Sequence, residues 1–384
     1  MKIFYFCFEG FSKHGQINNH IRETVSHLAR FGHEVHFFIP TITKPEFAAP
    51  VKIQRIPIIN LPLIRWLTFE PLAFLVLLLK AIQHRPNHLY FRETSSFIPL
   101  LISKIFSIPL TIEVNGWVLE ELRQTDYTRW KLTYMRLNQR LNFRHCWRII
   151  PVTEGLKQLL IDAYHLPDSK IFPVANGTNP IVFRPIPRGE AFKITGLPDN
   201  RFTIGFIGSC YHYHGVQYLI KAAPFIIEKQ PDVQFIVVGD GAQLAEWKQL
   251  VREMHLDDYF IFTGKVPFQQ APYYINCFDI AVAPWDVAFF NRISGSPMKT
   301  FDYMACGKPF IASPVREVAC LVEKHQCGVI LDVNNPIVFS NGIFNLMKAE
   351  YQRQKMGENG RQAVIQFYTW ERTTRNIEKI LSTR

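Results

Sequence analysis

The feature that most constrains the fold is an alternation that runs along the chain and then begins again. Short strand-like runs, "KIFYFCF", "HEVHFFI", "HLYFR", "LTIEV" and "RIIPV", are separated by stretches of helical period such as "INNHIRETVSHLARFG", where Ile21, Val25 and Leu28 share one face. Parallel strands need a crossover, usually a helix, and those helices cover both faces of the sheet, so the strands read as continuous apolar runs. After a loop rich in proline and glycine, "NGTNPIVFRPIPRGEAFKITGLPDN", the pattern restarts at "RFTIGFIGS" and continues through "FIVVGDG", "FIFTG", "DIAVAPW", "PFIAS" and "GVILD". The expectation is an α/β chain with two doubly wound, Rossmann-like domains in tandem. Residues 1–180 would form the first, 181–200 a hinge, 201–366 the second and 367–384 a last helix. A chain of 384 residues can fill two cores, since single cores stop growing at roughly 250 to 300 residues. Such sheets bind ligands beyond the carboxyl ends of their strands, so two of them define a cleft.

Bulk properties narrow the classes. Hydrophobic residues make up 48% of the chain and charged ones 20%, which excludes a disordered polypeptide. "MKIFYFCFEG" reaches Glu9 too soon for a signal peptide and reads as a first strand, and "PLAFLVLLLKAI" from Pro71 is too short to span a bilayer, reading as a buried or interfacial helix. The seven cysteines show neither a C-x-x-C pair nor a ligand spacing with histidine, so a reducing cytoplasm is expected and no metal is. The net charge of +11 is concentrated in residues 1–187, which hold 22 Lys and Arg against 13 acids, so the first half is expected to meet something anionic. In "DYTRWKLTYMRLNQRLNFRHCWR", Arg136, Arg140 and Arg144 recur every fourth residue, while Trp130, Tyr134, Leu137 and Leu141 have apolar spacing on another face. The plain reading is a solvated face over a core stripe; the sharper one is attraction to anionic lipid or a phosphate-bearing acceptor, with the protein peripheral at the inner face of a membrane. No nucleic-acid module is recognisable, so nucleic acid is not an expected partner.

The stretch "SGSPMKTFDYMACGKP" is arranged for the start of a helix. Ser296 can cap, Pro297 suits the first helical position because it lacks an N–H, and Gly307 can close the other end, giving a helix from about Pro297 to Cys306. Its leading N–H groups and dipole make an anion site that the bare Gly295 lets a ligand approach, and Lys299 adds charge. Asp302, one turn on, could accept hydrogen bonds from a sugar diol. An ordinary capped helix with a Lys299–Asp302 pair is the alternative. A second cradle is "FIGSCYHYHGVQYLI", with a turn at Gly208 and Ser209 and a helix near Gly215 that has His212 and His214 at its mouth. A third loop, "FEGFSKHGQINNH", carries Gly10, Gly15 and His20.

Together, "PVANGTNPIVFRP", "IGFIGSCYHYHGVQYLIKAA", "FIVVGDG", "FTGKVP" and "SPMKTFDYMACGKPFIAS" resemble glycosyltransferase family 4, with its two-domain GT-B fold, over nearly the whole chain. The resemblance implies a metal-independent retaining transferase that needs no cofactor beyond a nucleotide-diphosphate sugar as donor substrate. The donor would lie mostly on the second domain, and a saccharide or lipid-linked saccharide acceptor on the first. It implies that the amides around Gly295 to Pro297, with Ser296 between them, and Lys299 hold the diphosphate, Asp302 the ribose hydroxyls, and Lys265 and Val266 the base, with Gly208, Ser209, His214 and Ser294 also on the donor side. Lys299, Asn115 and Glu113 would serve catalysis, and Gly15, His20 and Arg92 the acceptor side. The last helix would return to brace the first domain. This chain departs from the pattern: many members have Arg and Lys where it has Ser209 and His214, and two glutamates where it has Ser294 and Asp302. The SPxK lysine would replace the lost charge. A non-catalytic nucleotide-sugar-binding homologue, or an epimerase or phosphorylase of the same fold, is the alternative.

Overall fold

The computed structural model describes residues 1–7, 16–40, 47–57, 64–94, 96–117, 119 and 129–383. They divide into two compact units, Met1–Asn176 with Ile293–Ser296 and Trp370–Arg384, and Gly177–Arg292 with Pro297–Thr369.

In the first unit β1 (Lys2–Phe6), β2 (Glu34–Pro40), β3 (Lys52–Ile56), β4 (His88–Arg92), β5 (Leu110–Val114) and β6 (Arg148–Pro151) form one parallel sheet in the order β3-β2-β1-β4-β5-β6. The strand order reverses between β1 and β4, which makes their carboxyl ends the switch point of the sheet. The helices are α1 (Gln16–Arg30), α2 (Ile64–His84), α3 (Ile98–Phe106), α4 (Arg129–His145) and α5 (Glu154–Tyr164). Alternation along each strand sorts the side chains: Phe4, Phe6, Leu89 and Phe91 meet Ala73 and Leu77 of α2, Ile102 of α3 and Phe143 of α4. Ile3, Tyr5 and Tyr90 point the other way, onto Ile21, Val25 and Leu28 of α1, the triplet picked out by its spacing.

Helix α4 corrects the expectation of a solvated face over a core stripe. Trp130 is 65% exposed, Leu137 56% and Leu141 42%, so they stand outside beside Arg136, Arg140 and Arg144. The inward face is Met135, Asn138, Gln139, Asn142, Phe143 and Cys146. Helix α2, the apolar stretch, buries Ala73, Leu77 and Ala81 and exposes Leu75, Leu79 and Ile82. No described helix is long and apolar enough to cross a membrane.

On α2, Glu70 is half-buried and accepts from Ser96 Oγ at 3.0 Å. Burial pushes its carboxyl up from 4.5 to about 7. A carboxyl whose folded pKa lies above its unfolded one costs stability when ionised; the cost is absent below 4.5 and complete above about 7. Glu70→Gln is therefore expected to stabilise by about 1 kcal/mol at pH 8 and to change nothing near pH 4. Thermal unfolding at the two pH values checks this, and equal shifts at both would contradict it.

In the second unit β7 (Phe202–Ile207), β8 (Val233–Val238), β9 (Phe260–Gly264), β10 (Ile280–Ala283), β11 (Phe310–Ala312) and β12 (Gly328–Ile330) form a parallel sheet ordered β12-β11-β10-β7-β8-β9, with its switch point between β7 and β10. Helices α6 (Arg188–Thr195), α7 (Val216–Lys229), α8 (Leu244–Glu253), α9 (Ala271–Asn276), α10 (Val287–Ile293) and α11 (Met298–Ala305) precede β11. After it come α12 (Arg316–His325), α13 (Pro336–Lys348) and α14 (Glu350–Phe367). The segment 181–200, expected as a hinge, contains α6 and belongs to this unit. The Arg188 guanidinium holds it there, 2.7 Å from both Asp279 carboxylate oxygens and 2.6 Å from Asp199. Arg361 of α14 gives three carbonyls, those of Pro180, Phe183 and Ala305, a single guanidinium partner.

The last helix, α15 (Trp370–Ser382), belongs to the first unit. It packs on α1, and its Ile377 and Leu381 complete the core that Ile21, Val25 and Leu28 begin.

Candidate functional site

The candidate residues of the second unit converge on the carboxyl ends of β7 and β10. α11 begins at Met298, one residue later than expected: Pro297 is the cap residue, with no side-chain bond capping the helix. The leading N–H groups of a helix lack intrahelical partners; at this end the Thr300 N–H donates to the Pro297 carbonyl at 3.0 Å. Gly307 follows the helix at φ +68° and ends it.

Lys299 runs inward from α11. It is 5% exposed, with Nζ 4.1 Å from the centre of the Phe206 ring and 5.3 Å from that of Trp285. Its hydrogen-bond partner is His214 Nδ1, at 2.7 Å. Thus the two cradles, separate in the sequence, are one site. Burial holds the Lys299 ammonium well below its ordinary range, with the Cys210 thiol pulling the other way, and burial beside Lys299 likewise holds His214 low and neutral. A neutral His214 that carries its proton on Nε2 can accept from Lys299 at Nδ1.

Two glycines make this approach possible. Gly208, at φ +151°, leaves space where a Cβ would stand 3.0 Å from Lys299 Nζ. Gly215, at φ +75°, ends a short 3₁₀ turn over His212–His214, and a Cβ there would sit 1.6 Å from the Pro284 carbonyl oxygen. The turn after β7 is therefore pressed against the turn after β10. Tyr213 stacks on Phe289 of α10 at 4.4 Å between ring centres, and Tyr211 on Tyr213 at 5.6 Å. Of the remaining candidates, Ser209 is exposed on the same turn. Lys265, exposed, and Val266, half-buried, follow β9, whose Gly264 carbonyl accepts from the Gly239 N–H at 3.0 Å. All of these lie at the carboxyl edge of one sheet.

Asp302 is buried. Its Oδ1 accepts from Thr178 Oγ1 at 2.7 Å, while Lys299 turns to His214, so the alternative of an intrahelical Lys299–Asp302 pair is replaced by two longer-range contacts.

In the first unit, Glu113 near the end of β5 is the centre of a buried cluster. Its register partner on β4 is Arg92, and Tyr90 two residues earlier is opposite Tyr5 of β1, so strand parity turns all four to the α1 side. Tyr90 donates to Glu113 Oε2 at 2.6 Å and Tyr5 does so at 3.4 Å. Asn115 Nδ2 donates to Oε1, where His20 Nε2 lies at 2.8 Å and Arg92 Nη1 at 3.7 Å. Burial would raise the carboxyl, but His20, then Arg92 and Asn115, hold it far below the ordinary carboxylate range. The Trp370 ring of α15 covers His20, with centres 4.9 Å apart. Glu113, at 2% exposure, is thus enclosed by side chains, and of its cluster Asn115 is the half-buried member. Gly15 lies outside the described residues.

Ser294, Gly295 and Ser296 group with this unit, whereas Pro297–Lys299 group with the other. Ser294 is buried at φ +43°, and its carbonyl accepts from Thr153 Oγ1 at 2.7 Å; Gly295 and Ser296 are half-exposed.

The site residues that sequence reasoning missed are Phe206, Trp285, Tyr5 and Tyr90. Trp285 ends a strand already recognised, and Tyr5 and Tyr90 share the parity of Glu113, so the signal for them was position on a strand rather than a motif.

The family model "Glycosyl transferases group 1" matches residues 187–363, and "Glycosyltransferase Family 4" matches residues 17–181. An uncharacterized glycosyltransferase of Methanocaldococcus jannaschii is 23% identical over 386 residues, spanning 95% of this chain and 94% of its own. Among solved structures, sucrose-phosphate synthase from Thermosynechococcus elongatus superposes with a TM-score of 0.78 at 17% identity, covering 99% of this chain and 98% of that one. Anabaena HepE, in complex with UDP and glucose, does so with 0.77 at 18% identity over the whole of both chains.

Proposed function

The chain belongs to glycosyltransferase family 4 and has the GT-B fold of two Rossmann-like domains, and from that premise we propose that it moves a sugar from a nucleotide-diphosphate sugar to a saccharide or lipid-linked saccharide, with retention of configuration. The observation that carries the donor half is the meeting of Lys299, His214 and Gly208 at the switch point of the second sheet. The resemblance puts a basic residue in many members where this chain has His214, and Lys299 brings its own nitrogen within 2.7 Å of that histidine. The lysine from α11 restores the cation that the turn after β7 has lost.

Breaking the glycosidic bond gathers negative charge on the departing diphosphate. Lys299 Nζ and the leading N–H groups of α11 are fixed before the reaction and need no reorganisation to meet that charge, an arrangement worth roughly 3 kcal/mol per donor in comparable sites. The reading assigns this stabilisation to the protein, without a metal ion. Lys265 and Val266, two strands away along the same edge, are placed for the base, and the half-buried Asn115 for the acceptor or the transferred sugar. Glu113, enclosed by its partners, is better read as holding Asn115 and His20 in place than as touching substrate. Retention places the acceptor hydroxyl on the leaving-group side, where a phosphate oxygen takes its proton, so no side-chain base is assigned. The products belong to surface polysaccharide or glycolipid synthesis.

A thermal-shift panel of UDP-, GDP- and ADP-sugars tests the donor assignment, with UDP-sugars first because the HepE structure holds UDP. A nucleotide sugar at about 100 times its Kd is expected to stabilise the fold by about 2.7 kcal/mol. Stabilisation by none of the three would overturn the assignment.

A further inference from the structure

Helices α2, α3 and α4 lie on one side of the first unit's sheet and contribute to a single core. α2 and α3 pack together, and Asn142 of α4 donates to the carbonyl of Ser96, two residues before α3. Their outward faces are apolar: Leu75, Leu79 and Ile82 on α2, Leu101 and Ile105 on α3, and Trp130, Leu137 and Leu141 on α4 are all exposed. Among the described residues of this unit, every other exposed large apolar side chain is either Phe97, next to α3, or Met1. Exposed apolar side chains gathered on the helices of one side of a sheet mark a surface that meets something.

The charge around it says what. Arg129, Arg136, Arg140 and Arg144 are exposed on the stripe of α4 that adjoins Trp130, Leu137 and Leu141, at 100° per residue, and Lys104 is exposed on α3. The single acid in the three helices is Glu70, whose carboxyl burial raises to about 7. A second copy docking through its own matching face would set arginines against arginines, which is repulsive. We propose that this face docks on the surface of an anionic bilayer, with the arginines at the lipid phosphates and Trp130 and the leucines at the boundary with the acyl chains. Because no described helix can cross a membrane, the contact is one of surface with surface. It stands apart from the donor chemistry and is measurable without any sugar nucleotide.

The test is sedimentation of the full chain with vesicles, either pure phosphatidylcholine or phosphatidylcholine with about a third phosphatidylglycerol. Binding is expected only to the anionic vesicles, weakening as salt is raised. Each arginine near such a surface contributes about fivefold, so the triple variant R136Q/R140Q/R144Q should partition roughly 100-fold less. Trp130→Ala should also weaken binding, and in the unaltered chain the Trp130 contribution to fluorescence should shift to the blue on vesicle addition. Thermal unfolding of both variants establishes that they are folded. Three outcomes overturn the proposal: no binding, equal binding to both vesicle types, or self-association in solution that Trp130→Ala abolishes. None of them touches the donor reading, which the nucleotide-sugar panel tests separately.

Discussion

Lys299→Met is expected to unfold at a higher temperature than the unaltered chain while turning over 10²- to 10³-fold more slowly, the loss typical when one fixed donor to a developing anion is removed. The two effects share a cause. Lys299 is buried among Phe206, Trp285 and His214, and burial depresses its pKa well below 10.5. A base whose folded pKa is lowered makes folding less favourable wherever the unfolded chain would carry the proton, so stability rises with pH towards 10.5. Methionine fills similar space, suits the aromatic neighbours and removes that cost, for an expected gain of about 1 kcal/mol. In the proposed reaction a bound diphosphate would supply the counter-charge that the site lacks and raise the Lys299 pKa again. Donor affinity should therefore fall with increasing pH between the two values, and binding should take up protons, seen by calorimetry in buffers of different ionisation heat. Unchanged turnover in the Met variant would remove Lys299 from the mechanism. A lowered midpoint would refute the claim that its burial is costly.

Glu113→Gln is expected to lose about 3 to 5 kcal/mol, the cost of leaving a buried guanidinium without its anion. Arg92, at 5% exposure, is the cation left behind, and the amide nitrogen that replaces one carboxylate oxygen cannot accept from the donors Glu113 now takes on two oxygens, Asn115 at Oε1 and Tyr90 and Tyr5 at Oε2. Because the Glu113 carboxyl is held below the ordinary value of 4.5, its contribution is complete above that value and disappears as pH falls towards the lowered one. Urea unfolding of the two proteins should show the gap at pH 7 and its narrowing below about pH 4. A gap that persists unchanged in acid would mean that packing, not charge, holds the cluster.

The fold was legible where a residue's neighbours in sequence decide its place. Strand parity and helical spacing depend on near neighbours, and Ile21, Val25 and Leu28 fell where their period put them. Helix α4 departs from its apolar spacing because half of its buried side is made of amides, Asn138, Gln139 and Asn142. Asn142 donates from its side-chain nitrogen to the Ser96 carbonyl and Gln139 accepts from Tyr164 at 2.7 Å, so amides find partners inside while the leucines are left out. A hydrophobic count takes such amides for solvent-facing residues. The candidate site could be named from the sequence only as separate residues, not as an assembly. His214 and Lys299 are 85 positions apart, and Thr178 and Asp302 are 124 apart. His214 comes within reach of Lys299 on a turn that Gly215 lets press against Pro284, an approach that no local pattern in the sequence announces.

The return of α15 has a bearing on the order of assembly. The first unit's hydrophobic interior includes Ile377 and Leu381, and further ties run from Thr373 to the Ala175 carbonyl and from His33 to Glu378. A ribosome therefore delivers the lid of the opening domain last, after every residue of the other has emerged. Until then α1 presents bare aliphatic side chains to the solvent. Chains stopped before Trp370 should be hard to keep from aggregating, and the nascent protein is the form most in need of a chaperone.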